Sequence, residues 1–183
     1  MAGRPRTFDR EAALIVAMEH FWRNGYEGTT VAKLTEAIGI TPPSLYAAFG
    51  DKDQLFEAAA AWYFAGVRRQ SEKALSLPTL RESLTEMLHL SAYSHTSEDT
   101  PPGCFLALEP RLAEHRETLR RRIAERVAQG IDEGEVPEGS DPEQIANYIM
   151  AVHNGMAARA RDGGTTTELL AIADMGLSAL PAR

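Results

Sequence analysis

Apolar positions recur at helical spacing along most of this chain. Leu14, Ala17, Met18 and Phe21 fall at i, i+3, i+4 and i+7 behind Asp9, a good N-cap, and Gly25 follows where a terminating glycine belongs. The spacing predicts a helix over about 9–24. Thr30 suits the N-cap of a second, shorter helix over about 30–38, with Val31, Leu34 and Ile38 inward and Gly39 at its end. After only Gly39 and Ile40, Thr41 supplies a new N-cap and Pro42 a first helical residue, where its missing N–H costs nothing. Two short helices joined by a glycine-containing turn of this length form a helix-turn-helix pattern. Gly50 stops the third helix, and Asp51-Lys52-Asp53-Gln54 has the form of a capping box opening a long helix through Leu55, Phe56, Ala59, Trp62 and Tyr63 to about 74.

The rest of the chain keeps the same period. Pro78 begins a helix carrying Leu80, Leu84, Met87 and Leu88, which fades into the polar 94–100 segment before Pro101-Pro102-Gly103. Leu119, Ile123, Val127 and Ile131 repeat every four residues on a helix closing near Gly134, and Asp141-Pro142 caps the next, with Ile145, Ile149, Met150, Val152, His153 and Met156. Gly163-Gly164 separates it from a final helix with Leu169, Leu170, Ile172, Ala173, Leu177 and Leu180, ended by Pro181. No strand signal, internal repeat or low-complexity tract interrupts the series. The expected fold is all-α with about nine helices, divided into residues 1–50 and 51–183, with the helix over about 51–74 linking the two.

Composition narrows the class. With 183 residues, 44% hydrophobic and 25% charged, the chain has the make-up of a folded globular protein. No apolar run is long enough to span a membrane and the N-terminus has no signal-peptide core, so a cytoplasmic protein with no membrane partner is expected. The one cysteine, Cys104, excludes an internal disulfide or a multi-cysteine metal centre. The net charge of −7 counts against nucleic-acid binding until it is divided: residues 1–70 are balanced, and the excess acid lies entirely in 71–183. A DNA-binding part therefore belongs in the first third.

At this point the motif becomes specific. Gly25-Tyr26-Glu27-Gly28-Thr29-Thr30-Val31, the stretch Leu34 to Ile40, and Thr41-Pro42-Pro43-Ser44-Leu45-Tyr46-Ala47-Ala48-Phe49-Gly50-Asp51-Lys52-Asp53-Gln54-Leu55-Phe56 resemble the signature of TetR-family transcriptional regulators. The resemblance covers about residues 8–65. It implies a three-helix DNA-binding domain followed by a helical domain that dimerises and binds a small-molecule effector. It also implies that Thr30 and Lys52 contact phosphates at helix N-termini, and that Thr41, Pro43, Ser44 and Tyr46 meet bases or backbone from the recognition helix. Many relatives carry an aromatic residue and a histidine just after the matching tyrosine, whereas here Ala47 and Ala48 leave only apolar or shape readout. Arg4 and Arg6, in a short Gly/Pro arm, suit insertion into an A·T minor groove.

The later helices carry competing readings. Arg120-Arg121-Arg122 with Arg126 resembles a nucleic-acid patch, but the interspersed Glu114, Glu117 and Glu125 favour a solvated helix face. The resemblance places the dimer bundle on the last two helices, with an internal core as the alternative; Ile149, Gly155, Met156, Leu169, Ala173 and Leu177 are the candidate contacts and a charge at Leu169 is expected to give monomers. Met87, His89, Leu90, Tyr93, Cys104, Phe105, Met150, His153 and Asn154, joined by Trp62, Tyr63 and Tyr148, mix apolar bulk with polar tips and are the candidate effector pocket. Pairing Cys104 with His89, His95 or His153 as nucleophile and base matches no catalytic spacing. No residue set has metal-ligand spacing and no cofactor motif is present, so neither is expected. The leading reading is a homodimeric repressor released from a palindromic operator, double-stranded DNA, by an effector. The alternatives are a ligand-independent or Cys104-based redox regulator, a helical interaction module and a small enzyme.

Overall fold

The structure, a computed structural model, describes residues 9–181. The arm carrying Arg4 and Arg6 lies outside them. Among the described residues the chain forms nine α-helices and no strand: α1 (Arg10–Asn24), α2 (Val31–Ile38), α3 (Pro42–Phe49), α4 (Lys52–Leu75), α5 (Leu80–His95), α6 (Phe105–Leu108), α7 (Ala113–Asp132), α8 (Pro142–Arg161) and α9 (Thr166–Ser178). It divides into two units, the first ending at Tyr63 and the second starting at Phe64.

In the first unit the caps do what their residue types allow. The Asp9 side chain accepts from the N–H groups of Glu11 and Ala12, and the Thr30 side chain from that of Lys33. Gly39 closes α2 in the left-handed region at φ 77°, where a side chain would be strained, and its N–H bonds to the carbonyls of Thr35 and Glu36. Asp51 and Gln54 form the reciprocal capping box, with Asp51 Oδ1 2.8 Å from the Gln54 N–H and Gln54 Oε1 3.1 Å from the Asp51 N–H.

Rings hold the helices together. Phe21 of α1 meets Phe56 of α4 edge-on at 5.1 Å, and Tyr26 packs against both. Phe56 and its neighbours Leu55, Ala59 and Ala60 are fully buried. The first unit therefore extends beyond the expected boundary at residue 50, because the first turns of α4 supply part of its core.

In the second unit, α5 packs on α9, α7 on α8, and α8 on both α5 and α9. Helix α5 starts at Leu80 behind an N-cap at Thr79, not at Pro78, because Thr79 and Glu82 make a capping box. The four-residue α6 and the 3-10 turn Pro110–Leu112 were not anticipated, since neither is long enough to show a period. The core is an apolar cluster including Leu84, Leu88, Ile123, Ile149, Met156, Leu169 and Ala173, all fully buried. At Gly176 of α9 an added Cβ would lie 3.1 Å from both Val152 methyls, so the glycine permits close approach of α8 and α9.

Two expectations are corrected by burial. Ile149, Met156, Leu169, Ala173 and Leu177 are 0–3% exposed inside a single chain, leaving them no surface to offer a partner, and only Gly155 of that candidate set is exposed. A charge at Leu169 would disrupt the core before it could dissociate a dimer. Arg126 is not part of a solvated face. It is 5% exposed, donates to Ser83 Oγ at 3.2 Å and pairs with Glu135 at 3.1 Å, while Glu135 also accepts from the Leu80 N–H at 2.6 Å. Arg121 and Arg122 do face outward, Arg120 is partly buried, and the three pair with Glu117, Glu143 and Glu125. The Arg120 hydrogen bond holds the Glu117 carboxyl down at about 2.

The Arg126 pair gives an asymmetric expectation. Glu135→Ala strands a buried guanidinium and a helix N–H, and should cost about 3 to 5 kcal/mol in urea unfolding. Arg126→Met leaves Glu135 its helix N–H and partial access to water, and should cost less than half as much. Equal losses would show that the pair does not act as a buried charge clasp.

Candidate nucleic-acid interface

The eight residues of α3 sort cleanly by face. Leu45 and Phe49, one turn apart, are buried, while Pro43, Tyr46 and Ala47 share the opposite, exposed face, with Tyr46 50% exposed. Thr41 is the N-cap residue but its hydroxyl makes no cap bond; it lies 2.9 Å from Ser44 Oγ, so both hydroxyls sit together at the helix start. Thr30 is exposed at the N-terminus of α2. Lys52 opens α4 with its ammonium 3.9 Å from the centre of the Tyr26 ring, and the Tyr26 hydroxyl donates to Asp53 at 2.7 Å. The lysine charge is thus held in place rather than swinging freely. Arg10, which the sequence reading passed over, donates through Nε to the Ala48 carbonyl at 3.2 Å and lies over the Phe49 ring, tying α1 to the end of α3. Its signal was weak: an arginine in the first turn of a helix usually faces solvent.

The candidate effector residues lie in differing surroundings. Trp62 and Tyr93 are 40% and 58% exposed, and Tyr63 packs edge-on against Trp22 at 5.0 Å within the first unit. His89 bonds to Asp174 at 2.7 Å, while Met87, Met150 and Phe105 are core, and Asn154 is half-buried beside His153. A cavity of about 400 Å³ lies elsewhere in the second unit, between the later turns of α4 and α7, lined by Phe64, Arg68, Ser71, Glu72, Leu75, Thr118, Leu119 and Arg122. None of these eight was in the candidate set, because the apolar spacing of α4 and α7 marks their core faces and not the gap between them.

Two members of that set do meet, in company with a residue left out of it. Cys104, His153 and His95 place their potential ligand atoms within 4.8 Å of one another, all three side chains buried. The imidazole rings of His95 and His153 cross at 74° with centres 5.0 Å apart. Burial, reinforced by the neighbouring His153, pushes the His95 pKa down to about 3, and burial lowers that of His153 as well. Both rings are neutral in the folded protein at neutral pH. Chain spacing gave no sign of this, since His153 comes from a helix remote in sequence.

A helix-turn-helix with an exposed recognition face, followed by a separate all-helical unit, defines a DNA-binding transcriptional regulator. Comparison with known proteins gives the family. The model of bacterial regulatory proteins of the tetR family matches residues 14–59, and that of the tetracyclin repressor-like C-terminal domain matches residues 85–172. The chain is 34% identical to the HTH-type transcriptional repressor ComR of Escherichia coli, over 98% of this chain and 92% of that one, and 29% identical to the repressor BdcR of the same organism, over 97% and 92%. Among solved structures, a cysteine mutant of the TetR family regulator CifR, complexed with 26-bp double-strand operator DNA, is 37% identical over 98% of this chain and all of that one, with a TM-score of 0.92. The chain belongs to the TetR family of transcriptional regulators.

The neutral histidines set a pH dependence. Their folded pKa values lie below the ordinary 6.5, so between that value and the folded pKa the unfolded chain binds more protons. In metal-free buffer, unfolding free energy should be level above about pH 6.5 for these groups and fall as pH drops, by up to about 1.4 kcal/mol per pH unit for each ring. His95→Gln should make the fall shallower in denaturant titrations at pH 7.5, 6 and 5. An unchanged slope would mean that His95 is protonated in the fold.

Proposed function

We propose that this protein is a homodimeric repressor, acting in the cytoplasm and not as an enzyme, that binds a palindromic double-stranded operator and is released by a small-molecule effector. The observation that carries this is the division of α3, with Leu45 and Phe49 inward and Pro43, Tyr46 and Ala47 outward beside the Thr41 and Ser44 hydroxyls. Thr30 and Lys52 flank that face as phosphate contacts, and Thr41, Pro43, Ser44 and Tyr46 meet the groove. Ala47 presents only a methyl group, suited to a thymine methyl. The operator bound by CifR, at 26 bp, is long enough for two half-sites one helical turn apart.

The dimer face follows from exposure. Tyr148 on α8 with Ile172 and Met175 on α9 are large apolar side chains left at the surface, Met175 at 76%, and they lie beside exposed Ala151, Gly155 and Ala171. Small residues among larger apolar ones allow a partner's helices to pack closely. For the effector, the cavity between α4 and α7 offers apolar walls from Phe64, Leu75 and Leu119 and a polar rim of the Arg68–Glu72 ion pair and of Arg122, itself paired with Glu125. That combination suits a ligand with an apolar body and a polar end.

Binding curves on operator and scrambled duplex at several salt concentrations test the DNA reading. Lys52→Ala should weaken both DNAs alike and lower the salt slope by about 1. Tyr46→Ala should cost about 1 to 3 kcal/mol on operator and less on scrambled DNA. No change in either variant would remove α3 from the interface. Separately, Ile172→Glu with Met175→Glu should yield folded monomers in sedimentation, whereas a wild-type chain already monomeric at micromolar concentration would refute the dimer.

A further inference from the structure

We propose that His95, Cys104 and His153 form a binding site for one closed-shell, thiophilic transition-metal ion, Zn(II) or Cu(I). The three side chains come from separate parts of the second unit: His95 ends α5, Cys104 precedes α6 after the 96–103 loop, and His153 lies mid-way along α8. The loop is drawn back on itself by the Gly103 N–H, which donates to the His95 carbonyl at 2.8 Å. That closure is what brings the thiol to the imidazole.

An independent observation points to an occupant. The Nδ1 of His95 is buried in a residue only 2% exposed and has no hydrogen-bond partner. A buried polar atom left unmatched is costly, and native folds rarely keep one without a ligand, ion or water to satisfy it. His153 is arranged differently. Its Nδ1 donates to the Asn154 side-chain oxygen in a long, 3.5 Å contact, which leaves the Nε2 lone pair available. A metal-bound histidine commonly has such an outer partner fixing its tautomer.

The donor set selects the metal class. One sulfur and two imidazole nitrogens, with no carboxylate in the cluster, suit zinc and copper(I) and not the oxygen-seeking magnesium, calcium or manganese. Bonds of about 2.0 to 2.3 Å place ligand atoms roughly 3.3 to 3.8 Å apart, so the widest pair must close by roughly 1 to 1.5 Å, within reach of side-chain rotation. The thiol releases its proton on binding, and three protein ligands leave a fourth position open. Copper(I) would form a neutral complex with the thiolate; zinc would retain a positive charge and recruit a water.

The test uses the full-length, reduced chain stripped of metal, titrated with Zn(II) and, without oxygen, with Cu(I), each against a chromophoric competitor. One ion per chain is expected, with Cys104→Ser, His95→Gln and His153→Gln each weakening binding at least about a hundredfold, since even outer partners are worth 10- to 100-fold. The two affinities show how strongly the donor set discriminates between the ions. Cobalt(II) loading of the unaltered protein supplies a readout that does not depend on any variant folding: a thiolate-to-metal charge-transfer band is expected. Absence of that band, binding of neither ion at one per chain, or binding indifferent to all three substitutions would overturn the site.

Discussion

Helices of eight residues do not persist alone in water, because nucleation consumes more conformational freedom than two turns return. Both α2 and α3 have that length, and everything the protein does with DNA depends on their being held by something else. The ring cluster of Phe21, Tyr26 and Phe56 provides the hold. It joins α1 to the first turns of α4, in the unit where Leu34, Leu45 and Phe49 are also buried, at 0 to 6% exposure. Tyr26 also engages Lys52 through its face and Asp53 through its hydroxyl. One side chain therefore takes part in both the packing of the module and the placement of charge at its surface.

The second unit solves a different problem. Its core is ordinary aliphatic packing, but polar groups are set within it, among them the Arg126 clasp and the His95, Cys104 and His153 cluster. Arg126 reaches Ser83, the Pro78 carbonyl and Glu135, so it links α7 to both the start of α5 and the turn after α7. A hydrophobic residue of that size could fill the space but could not specify those partners. The cluster fastens the other end of α5 to α8 through side chains that apolar packing alone would not require.

How much of this was legible in the sequence follows from how locally each feature is encoded. Asp9, Thr30, Gly39, Gly50 and the Asp51–Gln54 box each sit next to the backbone they cap, and the bounds of α1 to α4 could be read to within a residue or so. The cap of α5 at Thr79 is hidden in the sequence because Pro78 is itself a good opening residue. Burial was harder. Periodicity shows that Leu169 and Leu177 face inward but cannot distinguish the inside of one chain from the inside of a dimer, and it cannot show that Arg126, on the same helix as the exposed Arg121 and Arg122, is enclosed. Least legible was the meeting of His95 with His153, which depends on how α5 and α8 pack and on no spacing along the chain.

The turn between α2 and α3 has a consequence for how such a chain can change over time. Only Gly39, Ile40 and Thr41 separate the two helices, with Gly39 in a conformation that few residues share. Each residue of helix turns the chain by about 100°, so inserting or deleting one position here would swing Tyr46 off the outer face and bring Leu45 or Ala47 into its place. Substitutions along the outer face of α3 leave the scaffold intact, whereas a change in length destroys it. Lineages carrying this module are accordingly free to vary the letters of the recognition helix but not the count of residues before it.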